Sequence, residues 1–98
     1  MNNTIPVLMI GGKGFIGSAI ARALNNNSFS YFTISRDECD LLNYIDTAKY
    51  LKRFEKKSVY VIFTAAIRGD RDNSPQSMEK NIKMIRNFIK ASKNLNII

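Results

Sequence analysis

Apolar stretches that alternate with segments of helical periodicity predict three strand–helix units followed by the start of a fourth strand. Apolar runs typical of buried strands occupy Ile5–Ile10 and Ser58–Phe63, and Phe29–Ser35 has the aromatic and β-branched composition of another strand. Leu95–Ile98 has the pattern of a strand that is just beginning. A longer segment follows each of the first three strands, so the chain alternates between two kinds of element.

The segments between the strands predict amphipathic helices. The first runs from about Phe15 to Leu24, the second from Tyr44 to about Lys56, and the third from Pro75 to about Lys93. The inward stripe of the first helix is expected to comprise Ile16, Ala19, Ile20, Ala23 and Leu24. Asn43 and Ser74 supply N-caps for the other two helices. The order β-α-β-α-β-α-β predicts an α/β fold with a parallel sheet and helices on both faces.

A glycine-rich segment, Gly11-Gly12-Lys13-Gly14-Phe15-Ile16-Gly17, joins the first strand to the first helix. Glycines allow backbone N–H groups to approach phosphate oxygens, and a helix N-terminus adds partial positive charge. The spacing is G-x-x-G-x-x-G rather than the commoner G-x-G-x-x-G. A strand, a glycine turn and a helix in this order predict a site for the pyrophosphate of a dinucleotide.

Composition narrows the class of protein further. The chain has 98 residues, of which 45% are hydrophobic and 23% charged, as in an ordinary globular domain. No segment approaches the roughly 18 apolar residues of a membrane span, and Met1–Thr4 lacks the basic start of a signal peptide. We therefore expect a cytoplasmic location and no membrane partner. The single cysteine, Cys39, and the absence of histidine argue against a disulfide and a metal site.

The net charge of +7 is carried by residues 44–98, because residues 1–43 contain equal numbers of acidic and basic side chains. Most of the lysines lie on the polar faces of the two later helices, which favours a solvated surface. Nucleic-acid binding through these helices is the disfavoured alternative. The unpaired edge of so small a sheet makes self-association a further expectation.

Several motifs stand in a fixed order on the predicted elements. They are the glycine segment within Ile10–Ile20, then Ser35-Arg36-Asp37-Glu38 with Asp40-Leu41-Leu42, then Thr64-Ala65-Ala66, and finally Asn81 in the third helix. With these motifs, nearly the whole chain resembles the N-terminal part of an extended short-chain dehydrogenase/reductase. The resemblance is to the NAD(P)-dependent epimerase/dehydratase group, and within it to GDP-fucose synthase and related nucleotide-sugar reductases. It implies a partial Rossmann fold with three strands, the start of a fourth, and helices on both faces.

The resemblance implies a role for each residue of the glycine turn. Gly11 would permit the tight turn, Gly14 would allow close approach to the pyrophosphate, and Gly17 would let the helix pack against the strand. The backbone N–H groups of Phe15 and Ile16 would then point at phosphate oxygens.

The resemblance also implies how the adenine end of the cofactor is held. The carboxylate of Asp40 would accept from the adenine amino group, and Leu41 would pack on the ring. Ala65 and Ala66 would leave room where the dinucleotide crosses the end of the third strand. Small residues that merely pack under a helix are the alternative interpretation of these two alanines.

Ser35 and Arg36 bear on the choice between NADP and NAD. They lie about 20 residues past the glycines, where an acidic residue that binds the ribose 2′-hydroxyl is typical of NAD-binding relatives. A guanidinium at this point could instead form paired bonds with a 2′-phosphate, which favours NADP. Asp37 keeps NAD open, and a solvated surface charge is the alternative for Arg36.

No catalytic residue is assigned in this chain. The family's Ser/Thr and Tyr-x-x-x-Lys pair follow the fourth strand, and none of the four tyrosines here precedes a lysine by four residues. Cys39 has no histidine to activate it. We expect residues 1–98 to be an incomplete NAD(P)-binding Rossmann domain, truncated before the catalytic segment and the substrate domain.

The expected function is the NAD(P)-binding portion of a nucleotide-sugar epimerase, dehydratase or reductase, and a nucleotide sugar would be bound only by the full enzyme. The alternative is a stand-alone, non-catalytic module that binds a dinucleotide or a partner.

Overall fold

Strands and helices alternate through the whole described part of the chain. A computed structural model describes residues 5–11, 14–35, 37–65 and 74–98. The elements are β1 (Val7–Ile10), α1 (Phe15–Asn26), β2 (Tyr31–Ile34), α2 (Tyr44–Leu51), a 3₁₀ turn (Lys52–Phe54), β3 (Ser58–Phe63), α3 (Pro75–Ala91) and β4 (Asn96–Ile97). The predicted order of elements is confirmed. Within the residues described, none of the helices has the length and apolar character that crossing a membrane requires.

The four strands form one parallel sheet in the order β2-β1-β3-β4. Met9 of β1 lies between Thr33 of β2 and Ile62 of β3 in the register. The chain moves from β1 to one side and then returns past it, so right-handed crossovers place α1 on one face and α2 and α3 on the other. Contacts of α1 with β1 and β2, and of α2 with α3, agree with this arrangement. The expected α/β class and partial Rossmann fold are confirmed.

The main hydrophobic core lies between the sheet and the α2–α3 layer. Its buried members come from β1, β2, β3 and both helices, and they include Leu8, Ile10, Ile34, Leu51, Phe54, Val59 and Phe88. Aromatic rings join the layers, because Phe54 lies 5.3 Å from Phe32 and Phe63 lies 5.5 Å from Phe88, measured between ring centroids. This core fixes the positions of β1 and β3, whose carboxyl ends carry the glycine turn and the alanines.

Side-chain caps begin two of the helices at the expected residues. The Asn43 side chain accepts a hydrogen bond of 3.0 Å from the Asp46 N–H, and the Ser74 hydroxyl accepts one of 3.2 Å from the Ser77 N–H. Pro75 occupies the first turn of α3, where it needs no hydrogen-bond donor.

The second helix is shorter than predicted. Its α-helical part ends at Leu51 and a 3₁₀ turn carries the chain to Phe54, whereas the periodicity extended the helix to Lys56. Lys56 adopts a φ of 63°, and its N–H donates to the Asn94 carbonyl at 2.7 Å. A left-handed residue cannot continue a helix, and it turns the chain towards β3.

The buried face of α1 differs from the predicted stripe. Ile16 is 63% exposed, and Ala19 and Ala23 also face solvent, so their expected inward orientation is wrong. Gly17 is buried, and Ile20, Ala21 and Leu24, which follow it at helical spacing, are half-buried, as is Ser18. Gly17 has no side chain, so the helix turns this face to the sheet and its axis can approach β1 closely.

Replacing Phe54 by alanine should remove a central contact of the core. Its ring is 5% exposed, so we expect the free energy of unfolding to fall by about 3–5 kcal/mol. Urea unfolding followed by far-ultraviolet circular dichroism measures the change. Phe29→Ala is the matched control, because Phe29 is 56% exposed and should change stability by no more than about 0.5 kcal/mol. Equal losses in the two variants would contradict this account of the core.

Candidate functional site

A cleft of about 600 Å³ opens at the carboxyl ends of β1, β2 and β3. It lies at the point where the chain reverses direction across the sheet, which is where open α/β sheets bind ligands. The lining residues come from the glycine turn, the segment after β2, the end of β3 and one side of α3. They are Gly11, Gly14, Ile34, Ser35, Asp37, Cys39, Asp40, Leu41, Leu42, Thr64, Ala65, Lys80 and Met84.

The first part of the glycine turn is clamped between two strands. Gly11 has a φ of +93°, and its N–H donates to the Ile34 carbonyl of β2 at 3.0 Å. The Thr64 hydroxyl, just past β3, lies 3.1 Å from the Ile10 carbonyl and 3.2 Å from that of Gly11. A Cβ on Gly11 would lie 2.7 Å from the backbone nitrogen of Ala65. Both the backbone angle and the space therefore require glycine at this position.

Gly14 presents a different situation, since packing does not require a glycine there. Its φ is −73°, and the atom nearest to a Cβ built on it would be the Gly11 carbonyl oxygen at 3.6 Å, an ordinary contact. Gly14 lines the cleft and is also the N-cap of α1. A side chain at this position would reduce the space beside the helix N-terminus without disturbing the fold.

The first residues of α1 lie beside the cleft and turn their side chains to solvent. Phe15 is 83% exposed, Ile16 also faces solvent, and neither side chain lines the cavity. The N-cap residue of α1 is Gly14, which has no side chain with which to cap the helix. The first N–H groups of a helix have no partner within it, so this end of α1 can bind an anion.

The segment after β2 begins with a turn closed by a carboxylate. The Ser35 carbonyl accepts from the N–H groups of Glu38 and Cys39 at 3.1 and 3.0 Å. The Glu38 carboxylate in turn accepts from the Ser35 hydroxyl at 3.0 Å and from its N–H at 3.4 Å. The Ser-x-x-Glu spacing resembles a capping box, although here the serine hydroxyl donates to the carboxylate.

Asp40 and Leu41 lie in a loop that is fastened to both α2 and α3. Asp40 Oδ1 accepts from the Leu42 N–H at 3.0 Å, and the Asp40 N–H donates to Asp46 Oδ2 at 2.7 Å. The Leu41 side chain is buried in the core, and its carbonyl accepts a 2.7 Å hydrogen bond from the side-chain amide of Asn87 on α3. Two helices therefore determine where this loop borders the cleft.

Cys39 contributes a neutral wall to the cleft. It is a buried free thiol, and burial, more than the nearby carboxylates of Asp46 and Asp40, raises the pKa of this thiol, while a hydrogen bond with Thr47 lowers it. A thiol with a raised pKa is protonated at neutral pH and is a poor nucleophile. Within the described residues, no group of histidine, cysteine and acidic side chains could hold a metal ion.

The structure brings together most of the residues singled out in the sequence. Gly11, Gly14, Ser35, Asp40, Leu41 and Ala65 line one cleft, while Phe15, Ile16 and Gly17 begin the helix beside it. Arg36 and Ala66 lie outside the described residues. Their proposed contacts with a cofactor stay predictions.

Residues at or beside the cleft for which the sequence predicted no site role include Thr64, Lys80, Met84 and Asn87. Lys80, Met84 and Asn87 are spaced by four and three residues, which places them on one side of α3. That spacing was the available signal, but their lysine, methionine and asparagine side chains look like an ordinary mixed helix surface. Thr64 stands directly before the two alanines. Nothing in the sequence near Thr64 indicates its hydrogen bonds to the end of β1.

The strand order, the reversal point and the glycine turn define a Rossmann-type fold of the kind that binds nucleotides. The sequence profile of the NAD dependent epimerase/dehydratase family matches residues 7–97, and the chain belongs to this family. The family uses a nicotinamide dinucleotide as cofactor. The resemblance inferred from the motifs is thereby confirmed. No match was found among curated protein sequences.

Solved structures of nucleotide-sugar reductases have the same fold. A GDP-6-OMe-4-keto-L-xylo-heptose reductase from C. jejuni is 26% identical, with a TM-score of 0.78 over 99% of this chain and 28% of that chain. A GDP-mannoheptose C4 reductase from Campylobacter jejuni with NADP bound is 27% identical, with a TM-score of 0.74 over 94% of this chain and 28% of that one.

A GDP-L-fucose synthetase from Naegleria fowleri, 17% identical with a TM-score of 0.70, covers 90% of this chain and 27% of that chain, and supports the fold alone. The chain thus spans about 28% of the length of the reductases that it matches.

The two glycines of the turn should respond differently to alanine. Gly11→Ala combines a left-handed backbone with a Cβ 2.7 Å from a backbone nitrogen, so we expect a loss of at least about 2 kcal/mol in unfolding free energy. Gly14→Ala is the matched control and should change stability by no more than about 0.5 kcal/mol. Urea unfolding measures both values. Equal destabilisation by the two substitutions would contradict the geometry of the turn.

Asn87→Ala should loosen the loop that carries Asp40 and Leu41. It removes the donor to a partly buried carbonyl, and we expect a loss of about 0.5–1.5 kcal/mol in urea unfolding. Asn87→Asp should be more destabilising still, because a carboxylate oxygen would face the Leu41 carbonyl oxygen. Asn25→Ala, on the exposed end of α1, is the control. An aspartate variant as stable as the wild type would show that this hydrogen bond does not hold the loop.

Proposed function

We propose that the chain binds NADP(H), and NAD(H) more weakly, as the cofactor-binding part of a nucleotide-sugar reductase, epimerase or dehydratase. The observation that carries this proposal is the contrast between the two glycines. Gly11 is required by the fold, whereas a side chain at Gly14 would meet only ordinary contact and would intrude on the cleft beside α1. Family membership and the nucleotide-sugar reductases of similar fold support it.

The pyrophosphate would lie over the glycine turn. The backbone N–H groups of Phe15 and Ile16 begin α1 and would donate to phosphate oxygens, with the helix dipole in support. The side chains of both residues are exposed to solvent and do not line the cleft. Gly17 is buried and would hold the start of the helix close to the sheet.

The adenine would lie between the Asp40–Leu41 loop and the side of α3 that bears Met84. Asp40 would accept from the adenine amino group, and Leu41, Ala65 and Met84 supply apolar surface to the same cleft. Ala66 is assigned to the same wall from the sequence. The fastening of the loop to α2 and α3 means that this end of the site is preorganised, which favours affinity.

The preference for NADP rests on Ser35 and Arg36 and on the relatives. Ser35 lines the cleft at the end of β2, and the sequence places a guanidinium directly after it. The GDP-mannoheptose C4 reductase of similar fold was solved with NADP bound.

A bound nicotinamide dinucleotide would supply hydride transfer, and this chain's described residues would bind and orient it. No tyrosine in the sequence is followed by a lysine four residues later, so no acid–base pair of the family type is assigned here. The substrate class that we propose for the whole protein is a nucleotide sugar. GDP-linked sugars are favoured, because the two Campylobacter jejuni proteins of similar fold are reductases of GDP-linked sugars.

Titration of the 98-residue chain with NADPH and NADH, followed by nucleotide fluorescence or calorimetry, tests the proposal. We expect both to bind and NADPH to bind more tightly. Arg36→Glu should weaken NADPH by about tenfold or more and NADH far less, because it replaces attraction to a 2′-phosphate with repulsion.

The matched control for this titration is Gly14→Ala, which should stay folded yet lose at least about tenfold in affinity for both dinucleotides, because the new Cβ occupies space that the pyrophosphate needs. Absence of binding by either dinucleotide to the wild-type chain would refute the proposed function. Equal weakening of NADPH and NADH by Arg36→Glu would refute the role assigned to Arg36 alone.

A further inference from the structure

We infer that Glu38 is a specificity-determining residue, and that its carboxylate, held at the end of β2, lowers the affinity of the site for a ribose that carries a 2′-phosphate. The inference rests on the proposed function, because it concerns which dinucleotide the same site prefers. The sequence alone connects the choice between NADP and NAD with Ser35, Arg36 and Asp37, and it predicts no role for Glu38.

Glu38 is hydrogen-bonded to Ser35, the cleft residue that directly follows β2. Its Oε1 accepts from the Ser35 hydroxyl at 3.0 Å and from the Ser35 N–H at 3.4 Å, while the Glu38 N–H donates to the Ser35 carbonyl at 3.1 Å. Ser35 is buried and lines the cleft. The carboxylate is therefore held by the turn itself, close to the place assigned to the ribose.

This geometry has two consequences for a phosphate on the ribose 2′-oxygen. The Ser35 hydroxyl has a single hydrogen to donate, and it is directed to Glu38 rather than into the cleft. The carboxylate also adds a negative charge beside that of Asp37, which lines the cleft. A phosphate that approaches Ser35 is repelled by both charges, whereas a ribose 2′-hydroxyl is neutral and can donate to a carboxylate.

Glu38 thus acts against the cation that the sequence places at position 36. The guanidinium favours NADP and the carboxylate favours NAD. The ratio of the NADP affinity to the NAD affinity therefore depends on the balance between these two opposite effects. The site is expected to discriminate between the dinucleotides less strongly than a serine–arginine pair alone would.

The charge of Glu38 must be tested separately from its structural role, because its carboxylate also closes the turn by bonding to Ser35. Glu38→Gln keeps an oxygen that can accept from Ser35 and removes only the charge. Glu38→Asp keeps the charge but shortens the side chain, so it weakens the bonds to Ser35. Glu55→Gln is the matched control for net charge, because Glu55 follows the 3₁₀ turn and precedes the amino end of β3, whereas this cleft lies at the carboxyl ends of the strands.

The experiment is calorimetric titration of the full chain and these three variants with NADPH and with NADH. In Glu38→Gln we expect the affinity for NADPH to rise by about three- to tenfold and that for NADH to change by less than twofold or to fall. Glu38→Asp and Glu55→Gln should show no such gain for NADPH. Raising the salt concentration should reduce the gain.

Several results would overturn the inference. They are an unchanged ratio of affinities in Glu38→Gln, a gain of equal size in Glu55→Gln, or a gain in Glu38→Asp, which retains the charge. If Glu38→Gln does not fold, Glu38→Ala carries the test, and loss of folding in both would assign Glu38 a purely structural role. Failure of the wild-type chain to bind either dinucleotide would instead refute the proposed function, so the two failures are distinguishable.

Discussion

The close approach of the Gly11 turn to the end of β3 is the constraint on which the cleft depends. A left-handed glycine lets the chain leave β1 directly over the backbone of Ala65, and the Thr64 hydroxyl, just past β3, bonds to the carbonyls of Ile10 and Gly11 at the end of β1. The helices that follow these two strands in the chain lie on opposite faces of the sheet, and such a reversal leaves a crevice at the carboxyl ends of the strands. The cleft lies at this point, and the strand ends supply part of its lining.

The elements could be predicted because their signals are local. Buried strands show as short apolar runs, and capped helices show as fixed spacings of apolar and capping residues. These signals predicted the strands, the parallel order and the caps at Asn43 and Ser74. The orientation of α1 was not predicted correctly, because Ile20 and Leu24 belong both to the predicted stripe and to the observed one. The buried Gly17 decides between them, and a glycine carries no hydrophobic signal.

The residues of the site also fall into two groups, those with a local sequence signal and those without one. The glycine turn and the Asp40–Leu41 pair are contiguous in sequence, so a motif can reveal them. Thr64 and Asn87 donate hydrogen bonds to carbonyl groups 53 and 46 residues away, and no neighbouring residue in the sequence indicates these partners. The bond between Ser35 and Glu38 is local and follows the Ser-x-x-Glu spacing of a capping box, so sequence inspection could have found it.

The hydrogen bond from Asn87 to the Leu41 carbonyl has a consequence for the motions of the chain. It joins the carboxyl-terminal third of α3 to the Asp40–Leu41 loop beside the cleft. Local opening of that part of the helix releases the loop, and release of the loop removes a restraint on the helix. A ligand that holds the loop must then disfavour the open form of α3 by the same free energy with which a docked α3 favours the ligand. Amide hydrogen exchange along α3, on the face remote from the cleft, would therefore report occupancy of a site that those amides do not touch.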